Sequence, residues 1–503
     1  MIILNHKQKH DEVVIVIGAG LGGLAAAIRM QALGYQVLLL EKTDRLGGKA
    51  SVFKNDDFTF DTGPTAVTAP YLIEELFSLN NEKMTDFLEL MPVKPYFRIY
   101  FHDGSHFDYS TIEENIHQIE VINSKDKEGY KKMIKSIEPI FQKGFIELSD
   151  KSFESFWSML KIAPALLRLG AYKSVYSYVS KYIKNDQLRM VFSYHPLLIG
   201  GNPFKITAVY MLIQAVEKEW GVWFVKGGTG KLVDELAALF MRMGGDIQIN
   251  SEVKEIEFST KKIVSGIILQ NGKIIKSNIV ISNAPVATTY LKLIPRAKRT
   301  RIREFRYRHS IYSMSVFMIY FGTNKSYSNV HLHNIILGKR YKGLINEIFN
   351  KKQLNEQGDF SAYLYVPTRF DRSLAPQEGE TFYILVPVPN QDSKINWEDE
   401  KIPFRNLIMD FLEKNFLHNL TKHLVTEKIF TPKDFEERYL DYKGAVFSLA
   451  PTFTQSAFFR PHNRFEDFTG LYIVGAGTHP GGGIPGVLST AKLTTNLISR
   501  LEK

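Results

Sequence analysis

The sequence predicts an α/β protein: a discontinuous Rossmann-like dinucleotide-binding domain, interrupted by a long helical insertion and accompanied by a second sheet. Three observations predict this. The chain opens on a β-branched run, Val13-Val14-Ile15-Val16-Ile17, suited to a strand buried in a parallel sheet, and a glycine-rich turn follows at once. Sheet-like sequence returns at residues 246–285 after a long helical stretch, so the nucleotide domain is discontinuous. A further strand, glycine-rich bend and helix close the chain over residues 471–501.

The opening turn is Gly18-Ala19-Gly20-Leu21-Gly22-Gly23. Gly18 permits the sharp bend, Gly20 lets the backbone approach a pyrophosphate, and Gly23 lets helix and strand pack closely. A helix is predicted over 24–33, with Leu24, Ala27, Ile28 and Leu33 apolar or small. Its N-terminus, with free N–H groups and the positive end of the dipole, favours an anion. The second strand, 36–40, ends in Glu41, eighteen residues after Gly23. A carboxylate there accepts hydrogen bonds from a ribose diol, whereas a 2′-phosphate would call for a cation. Strand, glycines, helix and acid together supply the context that a bare glycine motif lacks.

Next comes Lys42-Thr43-Asp44-Arg45-Leu46-Gly47-Gly48-Lys49. The amides of Gly47 and Gly48, with Arg45 and Lys49, suit the remaining dinucleotide phosphate charge; the alternative is a solvated basic turn. Phe58-Thr59-Phe60-Asp61-Thr62-Gly63-Pro64-Thr65 reads as a strand ending in a turn close to the cofactor.

From about Val93 the character changes. Strands at 97–102 and 105–109 flank the turn at Asp103-Gly104, and helical sequence dominates 111–216. Phe153, Phe156, Trp157 and Leu160 share one helical face, Pro164 suits the start of a new helix, and Tyr172, Val175, Tyr176, Val179 and Ile183 repeat the spacing. With Arg168, Lys173, Lys181 and Lys184 nearby, these aromatics suit either a membrane interface or plain core.

Trp220-Gly221-Val222-Trp223-Phe224 and Gly227-Gly228-Thr229-Gly230 precede a helix at 232–243 and a strand at 246–250. Val253 begins a strand through Phe258, residues 263–269 pair with 273–276 across Asn271-Gly272, and 280–285 returns to the sheet. The densest charge run holds Arg296, Lys298, Arg299, Arg301, Arg303, Arg306 and Arg308 against Glu304. It reads as a solvated helix face or as a partner for anionic lipid; no nucleic-acid motif accompanies it. Segments 313–321 and 382–389 are apolar strands, with Pro387 and Pro389 marking an edge or exit. The final bend runs Gly475-Ala476-Gly477-Thr478-His479-Pro480-Gly481-Gly482-Gly483-Ile484-Pro485-Gly486-Val487 before a helix at 488–501. Its helix N-terminus would stabilise negative charge on an electron-rich ring system.

Composition sets the outer bounds. The chain has 503 residues, more than one ordinary core accommodates, with 44% hydrophobic and 23% charged residues as in globular proteins. The absence of cysteine excludes disulfides, thiolate metal sites and cysteine-linked cofactors, and no metal site is predicted. Residues 1–12 lack the apolar core of a signal peptide, and the 13–28 run is glycine-punctuated and shorter than a span of about 20 residues. A net charge of +10 favours an anionic partner.

Taken together, the opening fingerprint, the Asp61-Thr62-Gly63-Pro64 turn and the closing bend resemble the flavin-dependent carotenoid desaturases, most closely the bacterial-type phytoene desaturases. The likeness spans nearly the whole chain. It includes Gly200-Gly201-Asn202-Pro203-Phe204, Glu219-Trp220-Gly221-Val222-Trp223-Phe224, Thr454-Gln455-Ser456-Ala457 and Arg460-Pro461-His462-Asn463-Arg464.

The resemblance implies a fold similar to the amine oxidase group and FAD as the bound redox cofactor. By similarity Gly18, Gly20, Gly23, Glu41, Arg45, Gly47, Gly48 and Lys49 bind the adenosine diphosphate half. Asp61, Gly63, Pro64, Val253, Gly475, Gly477, Gly486 and Val487 lie near the rest of FAD. The implied division is an FAD-binding domain from 1–92, 226–290 and 460–503, a helical membrane-contacting region at 93–225, and a substrate domain at 291–459. The implied reaction is stepwise dehydrogenation of 15-cis-phytoene to lycopene by a cytoplasmic protein peripherally bound to the membrane. Oligomeric state is not implied.

A polyene has no polar handle, so recognition requires an apolar tunnel, which an aromatic content of 13% can supply. His479 is the candidate proton acceptor, or else a histidine that orders its loop. Phe156-Trp157-Ser158-Met159-Leu160 offers no carboxylate where the family is often discussed with one. The open alternatives are a C30 desaturase, a terminal oxidase, an isomerase, or a non-catalytic isoprenoid escort protein.

Overall fold

The computed structural model describes residues 13–142, 164, 170 and 172–501. A five-stranded parallel sheet forms its nucleotide-binding side, in the order Leu471–Ile473, Ile279–Ser282, Val13–Ile17, Gln36–Leu40, Asp246–Gln248. Three separate chain segments therefore build one sheet, as expected from the broken sheet pattern. Val14, Ile15 and Val16 are fully buried, which is why an uninterrupted β-branched run was needed at the central position.

The first helix is Leu21–Ala32, starting three residues earlier than its apolar pattern suggests, so Gly22 and Gly23 are helical. A Cβ at Gly23 would lie 1.9 Å from the Gly18 carbonyl oxygen, so only glycine lets this helix lie so close to the first strand. Gly18 itself sits at φ +92°, a region that L side chains rarely adopt. The helix packs against the closing helix, Ile484–Leu501, bringing the two chain ends together.

A second, seven-stranded mixed sheet runs Leu424–Phe430, Ser315–Thr323, Glu380–Val388, Ala362–Tyr365, His333–Leu337, Phe97–Phe101, His106–Tyr109. Its one parallel pairing joins Phe97–Phe101 to His333–Leu337. Strand Glu380–Val388 lies inside the sheet, and its last partner on one side is Tyr363, opposite Leu385. Pro387 lies just beyond that point and keeps only its partner on the other side, Val316, so the expected edge is local to the end of an interior strand. A three-stranded antiparallel sheet, Val253–Phe258, Val264–Leu269 and Ile274–Lys276, extends from the nucleotide side.

Helix Ile112–Asn123 packs on the edge strand His106–Tyr109, Lys127–Phe141 packs on that helix and on Val175–Tyr182 and Leu212–Trp220, and Val175–Tyr182 packs on Asp186–Ser193. In Val175–Tyr182 the expected stripe turns inward: Val175, Val179 and Ile183 are buried and Tyr176 packs on Phe204. That half of the stripe is core and not a lipid-facing surface. The stripe Phe153, Phe156, Trp157 and Leu160, with Arg168, lies outside the described residues. No helix among the described residues is long and apolar enough to cross a membrane.

Candidate active site

A single cavity of about 720 Å³ runs between the two sheets. Gly18 and Gly20 of the opening turn and Gly475 and Gly477 of the closing bend are both on its wall. The two bends touch: a Cβ placed on Gly22 would lie 3.0 Å from Val487 Cγ1 and 3.4 Å from Gly475 Cα. Asn283 stands between them, its Nδ2 donating to the Gly18 carbonyl at 3.4 Å. Sequence reasoning passed over this asparagine because its partners are remote in the chain.

At the nucleotide end the first helix has Gly20 as its N-cap with no side-chain cap, so its first N–H groups remain free for an anion. Glu41 is buried on the cavity wall. Its Oε2 accepts from the Ala19 N–H at 2.9 Å, and its Oε1 from the N–H and hydroxyl of Thr43, both at 2.9 Å. These bonds fix the carboxylate while leaving lone pairs for a diol. Gly47, Gly48 and Val253 are also on the wall.

Three of the expected cofactor residues make their described bonds within the protein. Arg45 is not on the wall; it lies beside Asp44 and donates to the Val52 carbonyl, directed along the neighbouring strand. Lys49 reaches the wall, but its ammonium binds both oxygens of Asp441, at 2.9 and 3.0 Å, and the Val446 carbonyl at 2.7 Å. Its charge is committed to a buried acid that burial raises to about 6. Arg438, which the sequence reading did not single out, is a further cation on the wall, 3.9 Å from Asp44.

Asp61 is the third. It is buried off the wall, and its Oδ1 accepts from the Thr229 and Gly230 N–H groups at 2.8 and 3.3 Å. Its Oδ2 accepts from Tyr365 at 3.2 Å. It thus closes the N-terminus of helix Gly228–Arg242, and burial raises its carboxyl to about 6. What it positions is the turn that follows: Thr62, Gly63, Pro64 and Thr65 line the cavity, with the Thr229 hydroxyl donating to the Pro64 carbonyl. Gly23, likewise off the wall, works by the helix–strand approach described above.

At the closing bend, Gly475, Gly477, His479, Gly486 and Val487 all lie on the wall. Helix Ile484–Leu501 begins four residues earlier than its apolar pattern suggests, so Gly486 and Val487 belong to its first turn. His479 is the only histidine on the wall among the described residues. Its backbone is held on both sides, its N–H donating to the Pro461 carbonyl and its carbonyl accepting from Asn463. Arg460, buried beside the bend, donates to the Thr478 and Ala476 carbonyls.

Away from the glycines the wall is apolar, with Leu197, Leu198, Ile213, Val216, Val316 and Met318 among its residues. Among its polar residues is Glu217, buried and bonded to Nε2 of His195 at 3.1 Å. The cavity thus offers backbone amides at one end and hydrocarbon at the other.

Comparison with known proteins agrees with this division. Residues 21–499 match the flavin containing amine oxidoreductase family. The chain is 44% identical over 486 residues to the lycopene-forming phytoene desaturase of Pseudescherichia vulneris, covering 96% of this chain and 98% of that one. It is 43% identical over 485 residues to the lycopene-forming phytoene desaturase of Pantoea ananas, with the same coverage.

The chain belongs to the bacterial phytoene desaturases.

The amine oxidase-like fold of this desaturase is shared with an oxidoreductase from Methanosarcina mazei, at a TM-score of 0.66 and 16% identity over 98% of this chain and all of that one. FAD is its cofactor. The site fits that group on its own geometry: an uncapped helix N-terminus, a fixed carboxylate, two touching glycine bends on one wall, and a buried guanidinium at the second bend.

Proposed function

We propose that this chain catalyses the FAD-dependent, stepwise dehydrogenation of 15-cis-phytoene to lycopene in carotenoid biosynthesis. The observation that carries the proposal is the single cavity that joins the two glycine bends to a hydrocarbon wall. FAD, when bound, supplies the acceptor for a hydride from a saturated carbon beside the conjugated segment.

The chain's own contribution is positioning and exclusion of water. Leu197, Leu198, Ile213, Val216, Val316 and Met318 provide an apolar surface for a substrate without polar groups. Each such contact is weak, but together they hold the polyene in line with the bends. A proton must leave the carbon next to the one that loses hydride. His479, on the wall within the closing bend and with its backbone held on both sides, is the proposed acceptor.

We also propose peripheral membrane binding. Helix Arg301–His309 exposes Ile302 at 83% and Phe305 at 64% beside exposed Arg301, Arg306 and Arg308, while Tyr307 anchors the opposite face. Tyr172 and Phe453, which line the cavity, are 63% and 55% exposed and mark a mouth. Apolar and basic groups on one surface suit an anionic bilayer, where the substrate dissolves. The division of the chain into a three-part FAD-binding domain and the intervening regions is proposed on the same footing, supported by the three-segment parallel sheet.

Co-expression with a phytoene synthase in a colourless host tests the activity. Lycopene as the accumulated pigment is the expected outcome; unchanged phytoene beside soluble, FAD-loaded protein would overturn it.

A further inference from the structure

Arg460 poses an electrostatic problem that the protein alone does not solve. Its side chain is 3% exposed and lies on the cavity wall at the closing bend. Nε donates to the Thr478 carbonyl at 3.0 Å and Nη2 to the Ala476 carbonyl at 2.6 Å, while Nη1 is buried with no hydrogen-bond partner. No carboxylate among the described residues forms an ion pair with it. The acid Glu466 on the neighbouring segment is already bound by Arg303 and His462. Burial pulls the guanidinium below its ordinary value, yet an arginine stays charged in any protein site.

A buried cation compensated only by neutral carbonyls is costly, and such charges are normally paired. The free Nη1 therefore points to an anion that arrives or forms when the site is loaded. Two sources exist: the pyrophosphate of FAD, and the charge its ring system gains on taking up hydride. The free N–H groups after Gly20 are placed to serve the pyrophosphate, and Arg438 is on the same cavity wall, while the Gly47 N–H is spent on the Ala19 carbonyl at 2.8 Å. Arg460 instead holds the carbonyls of the second bend, just ahead of the helix that begins at Ile484. A Cβ on Gly481 would lie 3.8 Å from its Cζ, so the guanidinium sits directly under the glycines that approach the cofactor.

We propose that Arg460 is the counter-charge for the reduced ring system of FAD, and that it raises the reduction potential of the bound cofactor. A hydrocarbon surrenders hydride reluctantly, so a site that favours the reduced cofactor helps the reaction forward. The two carbonyl bonds orient the guanidinium and fix the bend.

The test compares Arg460→Gln, which keeps an N–H donor without charge, with Arg460→Lys, which keeps the charge. Each protein is loaded with FAD, its midpoint potential is measured, and affinities for oxidised FAD and for ADP are determined separately. Arg460→Gln should retain oxidised FAD and ADP within a few-fold and lose at least tenfold in preference for the reduced form, a drop of about 30 mV or more for a two-electron couple. Arg460→Lys should recover most of that loss. An unchanged potential in FAD-loaded Arg460→Gln would reduce Arg460 to a bend-fixing residue. Equal losses for oxidised FAD, reduced FAD and ADP would assign it to the pyrophosphate, and either result overturns the proposal.

Should Arg460→Gln not retain FAD, the wild-type holoprotein decides. A permanent cation at the ring predicts uptake of one proton per two electrons from pH 6 to 8, the potential moving by about 30 mV for each tenfold change in proton activity. Uptake of two protons across that range contradicts it.

Discussion

Replacing Lys49 by methionine distinguishes a structural cation from a phosphate ligand. The ammonium binds Asp441 at 2.9 and 3.0 Å and the Val446 carbonyl at 2.7 Å, and Asp441 is 1% exposed. Burial raises the Asp441 carboxyl to about 6 even with Lys49 in place. At pH 7, one unit above that value, the ionised form is favoured over the protonated one by about 1.4 kcal/mol.

Losing the cation cannot cost more than this through Asp441, because the carboxyl then takes up a proton. The bared Val446 carbonyl adds about 1 kcal/mol, so Lys49→Met should destabilise the protein by roughly 2–3 kcal/mol at pH 7. The folded value of Asp441 lies above the unfolded 3.8, so its contribution is fully present below about pH 4 and lost as pH rises through about 6. Removing Lys49 raises the folded value further. Wild type and variant should therefore approach each other at pH 5.5 and separate above pH 6.

Thermal unfolding of the FAD-loaded proteins at the two pH values reads this difference. In an Asp441→Asn background the same substitution should cost only the Val446 term. A Lys49→Met protein that melts with wild type at pH 7 but binds FAD more weakly would refute the reasoning and return Lys49 to the phosphate.

Three further outcomes follow from the same structure. Gly23→Ala places a Cβ 1.9 Å from the Gly18 carbonyl and should abolish FAD retention on purification, whereas Gly343→Ala, whose Cβ would meet its nearest neighbour at an ordinary 3.6 Å, should leave the flavin content of the protein intact. Asp61→Ala leaves the Thr229 and Gly230 N–H groups and the Tyr365 hydroxyl without their acceptor and should cost about 3 kcal/mol or more, while Asp61→Asn keeps an acceptor and costs less. Asp61→Asn should also remove the part of stability that wild type loses between about pH 4 and pH 6, since burial raises the folded carboxyl to about 6; melting across that range checks both points. Replacing Ile302 and Phe305 together by serine should weaken flotation with anionic liposomes several-fold while flavin content is retained, and raised salt should weaken the wild type as well.

Legibility in the sequence followed distance along the chain. The opening fingerprint was readable because strand, turn, helix and Glu41 are contiguous, and the closing bend was readable for the same reason. The partners of Asp61 stand 168 and 169 residues away, and the Lys49–Asp441 pair spans 392 residues. Both side chains therefore read locally as cofactor contacts when their bonds are made to remote parts of the protein. Helix starts were read late at Leu21, Gly228 and Ile484 because glycine and proline in a first turn hide the apolar period. The stripe Val175, Val179 and Ile183 was ambiguous for a different reason: helical spacing reveals a buried face but not whether protein or lipid covers it. The parallel pairing of Phe97–Phe101 with His333–Leu337 carried no local signal at all.

The central claim is that the joined cavity lets bound FAD draw hydride from a polyene. Anaerobic mixing of the FAD-loaded protein with liposomes carrying 15-cis-phytoene tests it without any added electron acceptor. The flavin absorbance should bleach, and one new carbon–carbon double bond should appear per flavin. Flavin that stays fully oxidised while the protein extracts phytoene from the vesicles would contradict the account and leave a carrier in place of an enzyme.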